Sequence, residues 1–232
     1  MSKELFGSKK DQQRLKEDCK NYISFIMSDR QICDLELLLN GAFHPLNGFL
    51  SKNDYESVIK KLRLENGLFF PMPITLDITK KFANKLKDQS KVTLRDKEGF
   101  PLAVLKISDI WKPDLMKEAT LVYGTENENH PGVNYLINIS NKYYVGGVLE
   151  GISLPKHYDY KEYRHTPKKL KSLFLKMGWE KIVAFQTRNP LHRAHVEMTT
   201  RSINDLNAKL LLHPVIGMTK TGDVDYHTRV RC

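Results

Sequence analysis

The residues best suited to chemistry lie in one stretch, Gln186-Thr187-Arg188-Asn189-Pro190-Leu191-His192-Arg193-Ala194-His195. Arg188 carries a planar guanidinium fork, which can clamp a tetrahedral oxyanion through two hydrogen bonds. Gln186 and Asn189 add neutral donors for the remaining oxygens, and Thr187 adds a hydroxyl. His192 and His195 are three residues apart, so on a helix they share one face and reach toward one ligand. A histidine pair at this spacing is by itself weak evidence and is more often structural. A metal site is disfavoured, because helical zinc pairs use the i, i+4 spacing of HExxH. A cation is also out of place between Arg188 and Arg193, so no protein-bound metal is expected. The set suits the handling of a phosphate or sulfate.

Such residues need an element to present them. Lys181–Phe185 is a short, almost uninterrupted apolar run, which reads as a buried parallel strand. His192–Leu206 reads as a helix, with Pro190 suited to its first turn, and Leu210–Ile216 as a second buried strand. The active stretch therefore falls where a strand ends and its crossover helix begins. Ligands bind at that edge of an open α/β sheet, and a helix N-terminus there offers N–H groups to an anion. A preceding helix over Pro167–Gly178 makes residues 166–232 the start of a doubly wound α/β domain.

Residues 1–165 have a different texture. Helical spacing predicts helices over Asp11–Met27, Asp34–Gly41 and Asn53–Leu62. Strands are expected at Pro71–Ile78, Lys91–Arg95, Pro101–Ile107 and Tyr143–Glu150, the last bent at its Gly146-Gly147 pair. Lys156–Thr166 reads as a linker. The fold expectation is thus an α+β, β-rich first domain (residues 1–165) followed by the opening part of an α/β domain (residues 166–232).

Composition bounds the rest. The chain has 232 residues, 41% of them hydrophobic and 28% charged, which fits a folded globular protein. No long uncharged apolar run is present, and Met1–Lys20 lacks the apolar core of a secretory signal. Cys19, Cys33 and Cys232 form no CxxC pair, so a reducing compartment, the cytoplasm, is expected. The net charge is +10, and residues 166–232 hold 12 Lys/Arg against 5 Asp/Glu. That imbalance attracts an anion but does not choose among nucleic acid, membrane surface and small polyanion.

Gln186–His195, QTRNPLHRAH, resembles the active-site signature of the ATP sulfurylase (sulfate adenylyltransferase) family. Three further blocks are similar to the family in order. They are Asp34–Phe49 (DLELLLNGAFHPLNGF), His130–Val133 with Tyr144–Gly147, and His213–Asp223 (HPVIGMTKTGD). The resemblance implies a PUA-like β-rich domain and then a Rossmann-like α/β domain of the HIGH-type nucleotidyltransferases. It implies that ATP and sulfate give adenosine 5′-phosphosulfate and pyrophosphate. Mg-ATP enters as a substrate. Carried onto this sequence, it implies ATP contacts from Gln186, Thr187, Arg188, Asn189, His192 and His195, and sulfate contacts from Gln186 and Arg188. Thr187, Arg188, Asn189, His192 and His195 are the implied catalytic set.

A homo-oligomer without nucleic-acid or membrane partners is expected. Two departures are visible: the family's later GRDHAG motif is absent, and Thr221 stands where proline is common. The chain is therefore expected to be an incomplete part of the enzyme, with little activity by itself. Two other readings stay open, a basic RNA-binding PUA-like protein and another HIGH-type nucleotidyltransferase.

Overall fold

The computed structural model describes residues 3–216 and 222–232. Two compact units emerge, residues 1–168 and 169–232.

The first unit is built on a six-stranded sheet. Its strands are β1 (Ile23–Ile26), β2 (Gly48–Phe49), β3 (Leu76–Ile78), β4 (Lys91–Arg95), β5 (Pro101–Trp111) and β6 (Tyr143–Gly151). Their order is β1-β4-β5-β6-β2, with β3 also pairing β6; β1 and β4 run parallel and the other pairs antiparallel. Leu102, Ala103, Val104 and Leu105 are all buried, because both faces of β5 are covered. Leu102, Ala103 and Leu105 join the main core with Leu35, Leu38, Val58 and Leu94, whereas Val104 packs with Cys19 and Ile152. The bend expected at the glycine pair is real. The β5–β6 register shifts between Ile107 and Asp109, which pair with Gly147 and Gly146.

The helices start where short polar side chains can cap them. Ser8 and Ser28 form capping boxes at α1 (Lys9–Asp18) and α2 (Asp29–Leu39). Ser51, Thr79 and Asp114 cap α3 (Lys52–Lys61), α4 (Lys80–Lys85) and α5 (Leu115–Tyr123). Pro131 opens the single turn α6 (Pro131–Asn134), which runs into a π-helical turn at Tyr135–Ile139.

Three expectations need correction here. The helix expected over Asp11–Met27 ends at Asp18; a 3₁₀ turn follows, and Ile23–Ile26 form β1. Tertiary pairing outweighs helical spacing there, since Ile23 lies opposite Val92 and the Thr93 hydroxyl donates to the Cys19 carbonyl. The strand expected from Pro71 begins only at Leu76. Pro71 and Pro73 lack the N–H that a ladder needs. The helix at Asp34–Gly41 is also longer than expected and starts at Asp29.

Between α2, α5 and the π turn lies a polar cluster. The Tyr55 and Tyr144 hydroxyls both donate to Glu118 Oε2, at 2.8 and 2.9 Å. The Arg30 guanidinium lies 4.3 Å from the centre of the Tyr135 ring. Burial pushes the nearby Asp34 carboxyl up to about 6, although the Arg30 charge pulls the other way. Since its folded value exceeds the unfolded one, the stability that Asp34 contributes is complete at low pH and lost as pH rises through 6. Relative to Asp34→Asn, the natural chain should therefore lose about 1 kcal/mol between pH 5 and 7. Urea denaturation of both chains at the two pH values tests this; parallel pH profiles would remove Asp34 as the cause.

The second unit has α7 (Pro167–Lys176, beginning in the first), β7 (Ile182–Thr187), α8 (Arg193–Leu206), β8 (Lys209–Pro214) and α9 (Tyr226–Arg231). β7 and β8 pair in parallel from Ile182 opposite Lys209 to Thr187 opposite Pro214. Neither strand is buried, contrary to expectation: each alternates between half-buried and exposed positions. Among the described residues the two strands pair only with each other. Among those residues, no helix is long and apolar enough to cross a membrane.

Candidate functional site

The candidate site forms at the carboxyl end of β7. Gln186 lies opposite His213 and Thr187 opposite Pro214, and the Val215 N–H donates to the Thr187 carbonyl at 2.9 Å. The chain then turns sharply. Thr187 Oγ1 donates to the Asn189 carbonyl at 2.6 Å and accepts from the Asn189 N–H at 3.2 Å. The Thr187 hydroxyl thus shapes the turn that sets Arg188 and Asn189 outward. Gln186, Arg188 and Asn189 are exposed.

The helix begins later than the sequence implied. His192 is the N-cap of α8 rather than a helical residue, and Pro190 lies outside the first turn. The relation expected of His192 and His195 survives, for a different reason. Their ring centroids lie 3.8 Å apart with the planes tilted by 32°, and the Phe185 ring centroid lies 5.4 Å from that of His195. Among the described residues no side chain caps the helix; the His195 N–H donates to the His192 carbonyl at 2.9 Å, which leaves the Arg193 and Ala194 N–H groups to face an anion. His195 Nδ1 is buried and makes no hydrogen bond.

Two residues of this neighbourhood carried no role in the sequence reading. Asp223 Oδ2 lies 3.8 Å from Arg188 Nε, and it is buried without a hydrogen-bond partner. Arg229 is buried and donates to the Val224 and Val215 carbonyls at 2.8 and 2.7 Å. The Gly222-Asp223 end of the HPVIGMTKTGD block was the only signal for the first, and nothing in the sequence pointed to the second. Residues 217–221 of that block, including Thr221, lie outside the described residues.

The arrangement suits oxyanion handling. It offers a guanidinium, neutral donors, an open helix N-terminus and paired imidazoles. Among the described residues, no three His, Cys, Asp or Glu side chains are grouped to hold a metal ion.

A β-rich unit followed by a parallel β–α–β unit with a basic strand-to-helix turn makes this a mixed α/β protein. Residues 2–154 match the model of the PUA-like domain, and residues 161–232 match that of ATP-sulfurylase. A sulfate adenylyltransferase of Kluyveromyces lactis is 51% identical over 90% of this chain and 41% of its own length. That of Saccharomyces cerevisiae is 49% identical over 88% of this chain and 40% of its own. A solved structure described as the hexameric APS kinase from Thiobacillus denitrificans superimposes with a TM-score of 0.81. It is 31% identical and covers 100% of this chain and 41% of its own.

The chain belongs to the ATP-sulfurylase (sulfate adenylyltransferase) family, with a PUA-like domain at residues 2–154. It spans about two fifths of the length of these curated relatives.

Proposed function

We propose that the protein transfers the adenylyl group of ATP to sulfate, giving adenosine 5′-phosphosulfate and pyrophosphate. The observation that carries this reading is the β7–α8 turn. It gathers Gln186, Arg188, Asn189 and the His192–His195 pair at an uncapped helix N-terminus. The relatives' printed names support the choice of substrates. Residues 166–232 are, on this reading, the start of a Rossmann-like, HIGH-type catalytic domain, and residues 1–165 its PUA-like companion.

The chemistry follows from the residue types. Sulfate is fully ionised at neutral pH, so its oxygen attacks the α-phosphorus without a general base. The barrier lies in bringing two anions together and spreading the charge of a crowded transition state. Arg188 and Gln186 hold sulfate, and Arg188 also meets the transferring phosphate. His192, His195, Asn189 and the α8 N-terminus take the ATP phosphates, and Thr187 keeps the turn in shape while facing the same ligand. Mg²⁺ arrives with ATP as its counter-ion. A homo-oligomer in the cytoplasm completes the proposal, supported by three free cysteines and by the hexameric relative.

The test is sulfate-dependent release of pyrophosphate from Mg-ATP by the intact protein, beside calorimetric binding of inorganic sulfate to the 232-residue chain. Neither release nor binding above buffer would end this reading. A separate expectation concerns the histidines. His192→Ala and His195→Ala should each lower kcat far more than ATP affinity, because their contacts strengthen with transition-state charge. Equal losses in kcat and ATP binding, or unfolding of both variants, would return the pair to a structural role.

A further inference from the structure

We propose that Asp223 is a positioning residue for Arg188, held at its post by the buried Arg229. The inference rests on the oxyanion reading of Arg188 given above. Its ground is a closed circuit of contacts within the second unit. The Thr187 carbonyl, next to Arg188, accepts from the Val215 N–H at 2.9 Å. The Val215 carbonyl accepts from Arg229 Nη1 at 2.7 Å, and Arg229 Nε donates to the Val224 carbonyl at 2.8 Å. Val224 adjoins Asp223, whose Oδ2 lies 3.8 Å from Arg188 Nε.

Burial shows which links are fixed. Arg229 is only 5% exposed, and both of its carbonyl acceptors lie on chain segments flanking the site. A cation seldom goes under cover without tight partners, so this side chain acts as a pin between Val215 and Val224. Asp223 is 20% exposed while Arg188 is 44% exposed, so the carboxylate is the fixed partner and the guanidinium the adjustable one. Asp223 Oδ2 has no hydrogen-bond partner, although a buried acceptor normally has one. The 3.8 Å separation is that of an ion pair and longer than a hydrogen bond. From the Nε side, the charge of the carboxylate biases the orientation of the guanidinium and leaves its outer N–H groups for a second anion.

The opposite role is physically clear too. An acidic group beside an oxyanion site could compete with the anion for the same arginine. The two roles predict opposite results. As a positioning residue, Asp223 loses its effect when the fork it orients is gone. Asp223→Asn, of the same shape, should lower sulfate-dependent turnover about tenfold with the KM for ATP unchanged. In an Arg188→Lys background the same change should cost less than about twofold, since coupled residues are not additive. A merely structural Asp223 would give equal losses in both backgrounds.

A second readout needs no turnover. In the 232-residue chain, the charge of the Asp223 carboxylate 3.8 Å away should slow base-catalysed exchange of the Arg188 Nε–H, read by nitrogen-15 NMR, relative to Asp223→Asn and Arg229→Lys. Asp223→Ala serves as a further variant, with melting temperature checked for each. Additive losses, tighter sulfate binding in Asp223→Asn, or an unchanged Arg188 exchange rate would each overturn the proposal. If the natural chain neither binds nor turns over sulfate but its Arg188 exchange depends on Asp223, the pair stands and only the choice of substrate falls.

Discussion

Arg188→Ala is expected to lower sulfate-dependent pyrophosphate release at least about a hundredfold, and Arg188→Lys at least about tenfold. Alanine removes every donor that this side chain aims at the developing charge, and losing one such donor typically costs a factor of about 100 to 1,000 in turnover. Lysine restores the charge but presents a point rather than a fork, so two parallel hydrogen bonds to one anion cannot form. The exposed position of Arg188 makes both changes compatible with folding. Its turn is held by Thr187 and its strand by β8, and neither uses the arginine side chain. Steady-state kinetics of the intact protein, with circular dichroism to confirm the fold, gives the answer. Turnover within about threefold of the natural protein in Arg188→Lys would mean that charge alone suffices and that the two-pronged clamp is wrong.

The second large effect is on the fold itself. Gly147→Ala should unfold the first unit or destabilise it by more than about 4 kcal/mol, a large part of the stability of any domain. Gly147 sits in β6 with φ +155°, and an added Cβ would lie 2.0 Å from the Lys106 carbonyl oxygen. That atom belongs to the backbone of β5, whose register is fixed on both sides of the bulge. On the other side, Phe49 of β2 pairs with the same residue. Neither neighbour can move without breaking a ladder. Thermal and urea denaturation of the variant would show the effect. A melting temperature within about 5 °C of the natural chain's would mean that β5 can give way, and that the close approach is not essential.

Much of the architecture was legible because it rests on local chemistry. Ser51 before the Asn53–Leu62 pattern marks the start of α3, and the alternation over Lys91–Arg95 and the apolar run within Pro101–Ile107 mark β4 and β5. The signals for α4 and α5 were there as well, in the capping residues Thr79 and Asp114 and in Gly124, which ends α5 with φ +70°. Strand-like alternation between Leu68 and Trp111 masks the first of them. The family was legible from QTRNPLHRAH and three other blocks, and both family models match.

The sequence by itself determined which residue types stand at the turn between β7 and α8, because strand, proline and helix follow one another along a single stretch of chain. It also determined the alternation of β-rich and α/β texture, since periodicity and turn residues are local properties. Only the tertiary structure decided that Ile23–Ile26 is a strand, because its partner Val92 lies far along the chain. Only the tertiary structure set the His192 ring beside that of His195 across a helix cap instead of along a helix face. It alone brought Asp223 to Arg188 and buried Arg229 against two carbonyls. Ile23–Val92 and Arg188–Asp223 join residues tens of positions apart, and the energy of all these contacts comes from burial and packing that no local pattern encodes.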